Sequence, residues 1–364
     1  MTRLHRLVSC TALFAGVTSA ACAQNLERRV AGASGDAVQF HFAARDGVCG
    51  NGKSFVRAED SNWYGTFSNG YGGDVCSAGP VRVVVVRAGR EIVRIEAYAG
   101  PLVNDPAGGT DLGAVSAREA ASYLMGLATT LDGRPAREAM FPAMLADSSV
   151  ITPELAKLAK DQTRARDVRR SAISWLARRR GEAGGVGAAT VERTLDQLVR
   201  DRNESETVRQ SALSTIASLD RGEGIPAMIT FASDADTWLA KQAFSTLARS
   251  GDPRARAFTR TAVKRADLPE ESREAAIRGL GDDYAGAADY KLLRDLYPTL
   301  DSDRTREAVM STLANAGGSD NAQWLLAIAK SPTEPAQRRR RAIALLGKYD
   351  DPRVKDALKA LIDR

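Results

Sequence analysis

A nine-residue pattern recurs six times in the C-terminal two thirds of the sequence, and it constrains the fold more than any other feature. Its fifth position is Ala172, Ala212, Ala243, Ala276, Val309 and Ala342. The intervals between these residues are 40, 31, 33, 33 and 33, and the long first interval contains a Gly-rich insertion at residues 181–187. A period in this range is typical of stacked structural repeats.

The spacing within the pattern predicts a helix. Positions five, six and nine lie three or four residues apart, so they share one helix face. A small fifth residue allows close approach of a neighbouring helix, and the apolar sixth position fills the contact: Ile173, Leu213, Phe244, Ile277, Met310 and Ile343. A partner helix precedes each pattern, often at a capping residue before proline: Thr152-Pro153, Asp252-Pro253 and Asp351-Pro352. We therefore predict about seven antiparallel helix pairs.

The pattern Val-Arg-x-x-Ala-apolar-x-x-Leu also has an acidic residue just upstream, as at Asp167, Glu206, Asp236, Glu271 and Asp303. With this acid, the pattern resembles the bacterial HEAT-repeat family, particularly its short, lyase-type repeats, over residues 116–364. The resemblance implies a right-handed α-solenoid. It also implies a protein-binding scaffold, because proteins of this kind are only occasionally enzymes.

The region before the repeats has strand periodicity. Val38, Phe40 and Phe42 alternate with other residues, as a half-buried strand requires, and Val81–Val86 predicts a more buried strand. The turn at residues 88–90 predicts a hairpin. The predicted organisation is a leader at 1–23, a small β domain at 24–100, a linker at 101–115 and the α-solenoid at 116–364.

Two cysteines remain once the leader is set aside, Cys49 and Cys76, and an even count in an oxidising compartment favours a disulfide. Closing this loop should stabilise the fold by about 3–4 kcal/mol. The alternative is two free thiols.

The first 23 residues follow an export pattern, with Arg3 and Arg6, an apolar stretch and small residues up to Ala23. We predict cleavage after Ala23 and a periplasmic or extracellular protein. The alternatives are a retained membrane anchor and a lipid attached to Cys22. Nothing after residue 24 is long and apolar enough to predict a membrane span.

Composition excludes several functions. The chain has two His, of which only His41 follows the leader, so a His-rich metal centre or a Cys/His zinc finger is not expected. The net charge of +6 falls to +4 without Arg3 and Arg6, and so mild an excess of positive charge argues against nucleic-acid binding. We expect no cofactor, no metal and no catalytic residues.

Two tryptophans stand out at polar or small positions of the repeats. We hypothesise that Trp175 and Trp238 project into a groove lined by the second helices and anchor a partner, with Arg170 and Lys241 beside them. The alternative is that each tryptophan fills local core.

Arginine recurs at the second position of the pattern, as Arg169, Arg209, Arg273, Arg306 and Arg339. One interpretation is that these arginines form a row of positive charges that binds an acidic partner. We favour the other, in which each arginine pairs with a nearby acid.

The predicted function is thus an exported, non-enzymatic scaffold for an unknown protein or peptide, with no nucleic-acid partner. The alternative is binding of an envelope polymer or carbohydrate by the aromatic loop between the cysteines, through Trp63, Tyr64 and Tyr71.

Overall fold

The computed structural model describes residues 26–53, 56–58, 76–102, 109–178, 186–219 and 222–362. Contacts divide the chain into two units, Met1–Thr215 and Ile216–Arg364. This boundary lies inside the predicted repeat region, so the predicted domain limits stay a prediction. The leader lies outside the described residues. Within the described ranges, no helix combines the length and apolarity that a membrane crossing needs.

The described residues of the first unit begin with a short helix, α1 (residues 26–32), and seven strands follow it. These are β1 (Ala37–Phe42), β2 (Val48–Gly50), β3 (Val56–Ala58), β4 (Ser77–Ala78), β5 (Val81–Ala88), β6 (Glu91–Ala99) and β7 (Thr110–Ala114). A four-stranded sheet has the order β6-β5-β1-β7, and a three-stranded sheet has the order β3-β2-β4.

The strand pattern is confirmed. Val38, Phe40 and Phe42 are almost fully buried, and the residues between them are partly exposed. Strand β5 is buried from Val81 to Val85 because it lies between β1 and β6 in the sheet. The predicted hairpin joins β5 to β6, where Gly89 has φ +64°, a conformation that favours glycine.

Part of the predicted linker is a strand. Strand β7 pairs in parallel with β1, with Val38 opposite Thr110 and His41 opposite Ala114. Residues Thr110–Ala114 of the predicted linker therefore form one edge of the main sheet.

The predicted disulfide is confirmed. Cys49 and Cys76 are bonded, with their Cα atoms 5.2 Å apart. Cys49 lies in the middle strand of the smaller sheet, and Cys76 directly precedes β4, which pairs with β2. The bond therefore joins strand β2 to the residue that precedes strand β4.

The rest of the first unit is helical. Its helices are α2 (Ala117–Thr130), α3 (Gly133–Met144), α4 (Thr152–Lys160), α5 (Arg166–Arg178), α6 (Val186–Arg200) and α7 (Glu206–Ala217), whose last turn crosses the unit boundary. Helix α2 packs on α3 and α4 packs on α5, while α3 also contacts α5 and α4 contacts α6. Helix hairpins therefore stack on one another, first helix beside first helix and second beside second.

The second unit repeats this arrangement. Its helices are α8 (Ile225–Ala232), α9 (Thr237–Arg249), α10 (Pro253–Ala262), α11 (Glu270–Gly279), α12 (Ala287–Leu296), α13 (Asp303–Ala316), α14 (Ser319–Lys330), α15 (Ala336–Leu346) and α16 (Pro352–Ile362). The second helices α9, α11, α13 and α15 contact one another in succession. Over the described residues of both units, α2 to α15 form seven helix pairs in the HEAT-like arrangement.

The shared face of the pattern is buried. All six residues at the fifth position have no exposed surface. At the sixth position five residues are equally buried, and Ile343 in the last pair is partly exposed. Burying a side chain of this size stabilises a fold by about 1.5–3 kcal/mol, so the repeated apolar contact holds the stack together.

Two of the three predicted helix starts are confirmed. Asp252 and Asp351 each accept a hydrogen bond from the backbone N–H two residues on, at 2.7 and 2.8 Å. The hydrogen bond and charge of Arg254, with further backbone donors, hold the pKa of Asp252 at about 2. The prediction for Thr152 is wrong: Thr152 is buried as the first residue of α4, and Ile151, whose side chain cannot accept a hydrogen bond, occupies the capping position.

The recurrent arginine has a structural partner. In three pairs its Nε donates to a backbone carbonyl ten residues earlier: Arg169 to Ala159 (3.0 Å), Arg209 to Val199 (2.9 Å) and Arg273 to Val263 (2.9 Å). Each carbonyl lies at the end of the preceding helix, where backbone acceptors lack intrahelical donors. The arginine side chain thus links the two helices of a pair. Arg169 also forms an ion pair with an acid, Glu204, in addition to its bond to the carbonyl.

The sheet packs directly on the first helix pair. The ring of Phe40 meets Tyr123 of α2 edge-on, with centroids 6.1 Å apart. The backbone N–H of Ile95 donates to Glu138 of α3 at 2.9 Å. Because a terminal repeat would otherwise expose its apolar face, the sheet caps the helical stack at this end.

Candidate functional site

A groove of about 680 Å³ lies along the second helices of the first unit. Three helices contribute to it, α3, α5 and α7, which are successive second helices of the stack. The lining residues are Arg134, Arg137, Glu138, Asp167, Arg170, Ser171, Ser174, Trp175, Arg178 and Ser211. We call this surface the α3–α5–α7 groove.

An aromatic stack forms one part of the groove. The Trp175 ring lies against Phe141 of α3, with centroids 5.7 Å apart and planes inclined by 27°. The guanidinium of Arg178 lies over Trp175, 5.0 Å from the ring centroid, and donates to the Ser174 carbonyl at 3.1 Å. Trp175 is half-buried in the groove.

The groove contains four guanidinium groups and two carboxylates, which gives it an excess of positive charge. Arg134 pairs with Glu138 at 2.5 Å, and Arg137 pairs with Asp167 across neighbouring helices at 3.2 Å. Arg170 is exposed, and within the described part of the chain it has no ion pair. Its charge is therefore available to an anionic ligand.

Glu138 connects the groove to the sheet. One carboxylate oxygen accepts from Arg134 and the other accepts from the backbone N–H of Ile95 in β6. The side chain is only 15% exposed. With both oxygens occupied, it fixes the position of α3 and is a poor general base.

On the corresponding surface of the second unit, two arginines are paired with acids of the neighbouring second helix. Arg304 bonds Glu271 at 2.9 Å and Glu274 at 2.5 Å, and Arg341 bonds Glu307 at 2.5 Å. Burial acts to raise the pKa of Glu274, but the bonds and charges of Arg304 and Arg278 outweigh it and lower that pKa. These pairs join successive second helices to each other and leave less charge for a ligand.

A second cavity, of about 480 Å³, lies between the first helices α2 and α4. Its rim includes Val150, which is 62% exposed, and Ser148, which has φ +52°. Arg118 and Lys157 are exposed there, but its described lining contains no aromatic ring. The α3–α5–α7 groove combines a ring with cations, so it is the stronger candidate.

The structure brings together two of the predicted partner-binding residues, Arg170 and Trp175. Trp238 and Lys241 lie on α9 in the second unit, where Trp238 is half-buried and Lys241 is exposed. Trp63, Tyr64 and Tyr71 lie outside the described residues. The role of each of these residues in binding stays a prediction.

Sequence reasoning missed the contribution of α3, including Arg134, Arg137 and Phe141. The repeat pattern could have identified α3 as another second helix of the stack. Placing Met140 at the fifth position puts Glu138 at position three, the position of Arg170 in α5. Pro142 obscured this match, although α3 continues to Met144.

Among the described residues, no group of three or more His, Cys, Asp or Glu side chains could hold a metal ion. The fold and the groove define the class of this protein: a HEAT-like helical repeat protein with a β-sheet cap that contains the Cys49–Cys76 disulfide.

Comparisons with known proteins find solved structures that are similar to this chain, but no matching family. No protein-family model matches and no curated protein matches, so membership of the lyase-type family stays a prediction. One similar solved structure is the complex of CpcE and CpcF of phycocyanin lyase from Nostoc sp. PCC7120, with 17% identity, a TM-score of 0.30, and coverage of 57% of this chain and 80% of that chain. Another is human deoxyhypusine hydroxylase, with 16% identity, a TM-score of 0.27, and coverage of 67% and 96%. At these scores the fold assignment rests on the helix pairs themselves.

Proposed function

We propose that this chain is an exported, non-enzymatic scaffold that holds a protein or peptide in the α3–α5–α7 groove. The observation that carries the proposal is that the partly exposed Trp175 and the exposed Arg170, which has no ion pair among the described residues, line the same groove. Tryptophan and arginine are the residue types most often found at binding hot spots.

A binding role fits the groove better than a catalytic one. Both of its carboxylates are engaged, Glu138 by Arg134 and Ile95, and Asp167 by Arg137. General acid–base chemistry needs a carboxylate that is free to exchange a proton with a substrate. These two side chains instead position the arginines and helices around them.

Export is supported by two independent features. The leader pattern predicts passage across a membrane, and the Cys49–Cys76 disulfide is typical of oxidising compartments. Nucleic acid is then an unexpected partner, and the weak net charge agrees with this.

The proposal is tested by in-cell crosslinking of the full-length protein followed by mass spectrometry. The variants are Trp175→Ala and Arg170→Glu, and the control is Arg193→Glu, which makes the same charge change at an exposed residue of α6. We expect one or more partners to be lost from both groove variants and retained by the control.

Thermal unfolding of the same variants separates binding from folding. Because Trp175 is half-buried, Trp175→Ala should lower the melting temperature by a few degrees only. If it lowers the melting temperature by many degrees, or if every partner survives both groove variants, the groove is not the binding surface.

A further inference from the structure

We infer that the cavity between α2 and α4 is a second binding site, and that its ligand is a small amphipathic monocarboxylate, which carries one carboxylate on a short aliphatic body. The cavity lies on the first helices of the first unit, whereas the α3–α5–α7 groove lies on the second helices. The inference therefore does not depend on the proposed function.

One wall of the cavity is fixed to the β domain. The cavity lies where α2 and α4 contact each other less extensively than the next two first helices, α4 and α6. The loop before α4 contributes residues 148–151 to the wall. Within this loop Leu145 accepts from the backbone N–H of Arg45 at 2.9 Å, and the backbone N–H of Asp147 donates to the Ala43 carbonyl at 3.0 Å. Because these bonds already position the loop, a ligand would not have to order it on binding.

The floor of the cavity is apolar. Ala121 is 2% exposed, and Met125 and Ile151 are each 3% exposed. Val150 adds a largely exposed apolar side chain at the rim. An aliphatic body would leave water by packing on these side chains. The volume of about 480 Å³ is in the range of small-molecule sites, whereas a stable protein partner needs a far larger contact surface.

Gly126 keeps the cavity open along α2. It lies inside the helix Ala117–Thr130, where glycine lowers helix stability relative to alanine. Its φ is not positive, and a Cβ at this position would meet no atom within 4 Å. Neither the backbone nor the packing of the described residues therefore requires glycine. The missing side chain instead leaves room in the cavity that this residue lines.

The charges of the lining match a single carboxylate. Arg118 and Lys157 are exposed, and neither forms an ion pair or a hydrogen bond through its side chain with the residues that the structure describes. Glu154 is the one acid of the described lining, so two cations against one carboxylate leave one positive charge in excess. A guanidinium binds a carboxylate through two parallel hydrogen bonds, so we assign the carboxylate of the ligand to Arg118, with Lys157 as an additional charge.

Two other ligand classes fit the lining less well. The described lining contains no aromatic ring, so it offers no surface for stacking a sugar or a planar ring. The Glu154 carboxylate would repel a polyanion. A ligand with one charge and an aliphatic body uses both the cations and the floor.

The test measures binding of octanoate to the full chain by isothermal titration calorimetry. We expect saturable binding to one site, which weakens as salt rises. In the series hexanoate, heptanoate and octanoate, each added methylene should tighten binding by about twofold to fourfold. Octanol, which lacks the charge, and octyltrimethylammonium, which reverses it, should bind more weakly by about tenfold or more.

Protein variants locate the site. Arg118→Gln should weaken octanoate binding by about tenfold, and Lys157→Gln by about twofold to fivefold. Gly126→Leu should abolish binding by filling the cavity, whereas Gly126→Ala should raise the melting temperature slightly because alanine favours the helix. Arg193→Gln, at an exposed residue of α6 outside the cavity, is the matched control and should bind like wild type.

Circular dichroism establishes that each variant is folded, and Arg118→Gln decides the result if Gly126→Leu is not. Equal affinity for octanoate and octanol would overturn the inference, as would unchanged octanoate affinity in Arg118→Gln or in folded Gly126→Leu. Arg170→Glu, a variant of the α3–α5–α7 groove, should bind octanoate as tightly as wild type. This variant tests the two sites separately.

Discussion

Arg169 and Glu204 form a bidentate ion pair in the first unit, and each side chain is only 3% exposed. Arg169 also donates to the Ala159 carbonyl, and Glu204 accepts from the Ser205 backbone N–H at 2.7 Å. These additional bonds satisfy most of the polar atoms that burial removes from water. The Arg169–Glu204 ion pair therefore joins helices α4 and α5 to the loop before α7.

Removing one partner of this pair should be costly. Glu204→Ala leaves the buried Arg169 charge uncompensated, and we expect a loss of about 3–5 kcal/mol in the free energy of unfolding. Urea denaturation of the purified protein measures it. A loss below about 1 kcal/mol would show that the charge is solvated and the pair is not structural.

The same pair predicts a pH dependence. Burial acts to raise the pKa of Glu204, but the bonds from Arg169 and Ser205 outweigh it and lower that pKa below its usual value. A lowered folded-state pKa stabilises the fold above the unfolded value of about 4.3, and this contribution is lost as pH falls through the folded-state value. Wild type should thus lose stability below about pH 4 more steeply than Glu204→Gln, in urea titrations at several pH values.

The arginine–carbonyl contact has its own test in the second unit. Arg273→Met keeps the aliphatic stem but leaves the Val263 carbonyl without its donor. We expect a loss of about 1–3 kcal/mol. Arg193→Met, at an exposed position, should stay within about 0.5 kcal/mol of wild type, and equal losses in the two variants would contradict the role of the contact.

At the scale of elements, the sequence predicted what depends on local periodicity. The strand at residues 37–42 and the buried fifth and sixth positions follow from spacing alone. The pairing of β7 with β1 does not, because Thr110–Ala114 is short, contains Gly113 and has no apolar alternation. A parallel partner distant in sequence makes it a strand.

The recurrent arginine shows a similar limit. Its spacing is visible in the sequence, but its acceptor is a backbone carbonyl of the preceding helix. Only the turn between the two helices brings that carbonyl within 3.0 Å of Arg169. Charge complementarity in the sequence pointed to acids instead.

Removing the Cys49–Cys76 disulfide should lower the free energy of unfolding. Replacing Cys49 and Cys76 with Ser should cost about 3–4 kcal/mol, because the loop of 27 positions is no longer closed in the unfolded chain. The change in unfolding free energy should match that produced by reducing the wild-type protein. Free thiols in non-reduced exported protein would contradict the bond itself.

At the scale of the molecule, the repeats predicted the candidate site only in part. The pattern indicates which helix face is buried, and so which positions remain on the surface. It does not indicate which surface arginines are paired. In the second unit Arg304 and Arg341 form ion pairs with neighbouring acids, whereas Arg170 in the first unit forms none with the residues that the structure describes.

The central claim is that the α3–α5–α7 groove is the surface that meets a partner. The most direct measurement places a photocrosslinking amino acid at Ser174, an exposed groove residue, and in separate proteins at Ser211 and at Arg193. After irradiation of cells that produce the protein, we predict adducts of the same partner from positions 174 and 211 and none from position 193. Adducts from position 193 with none from the two groove positions would contradict the account.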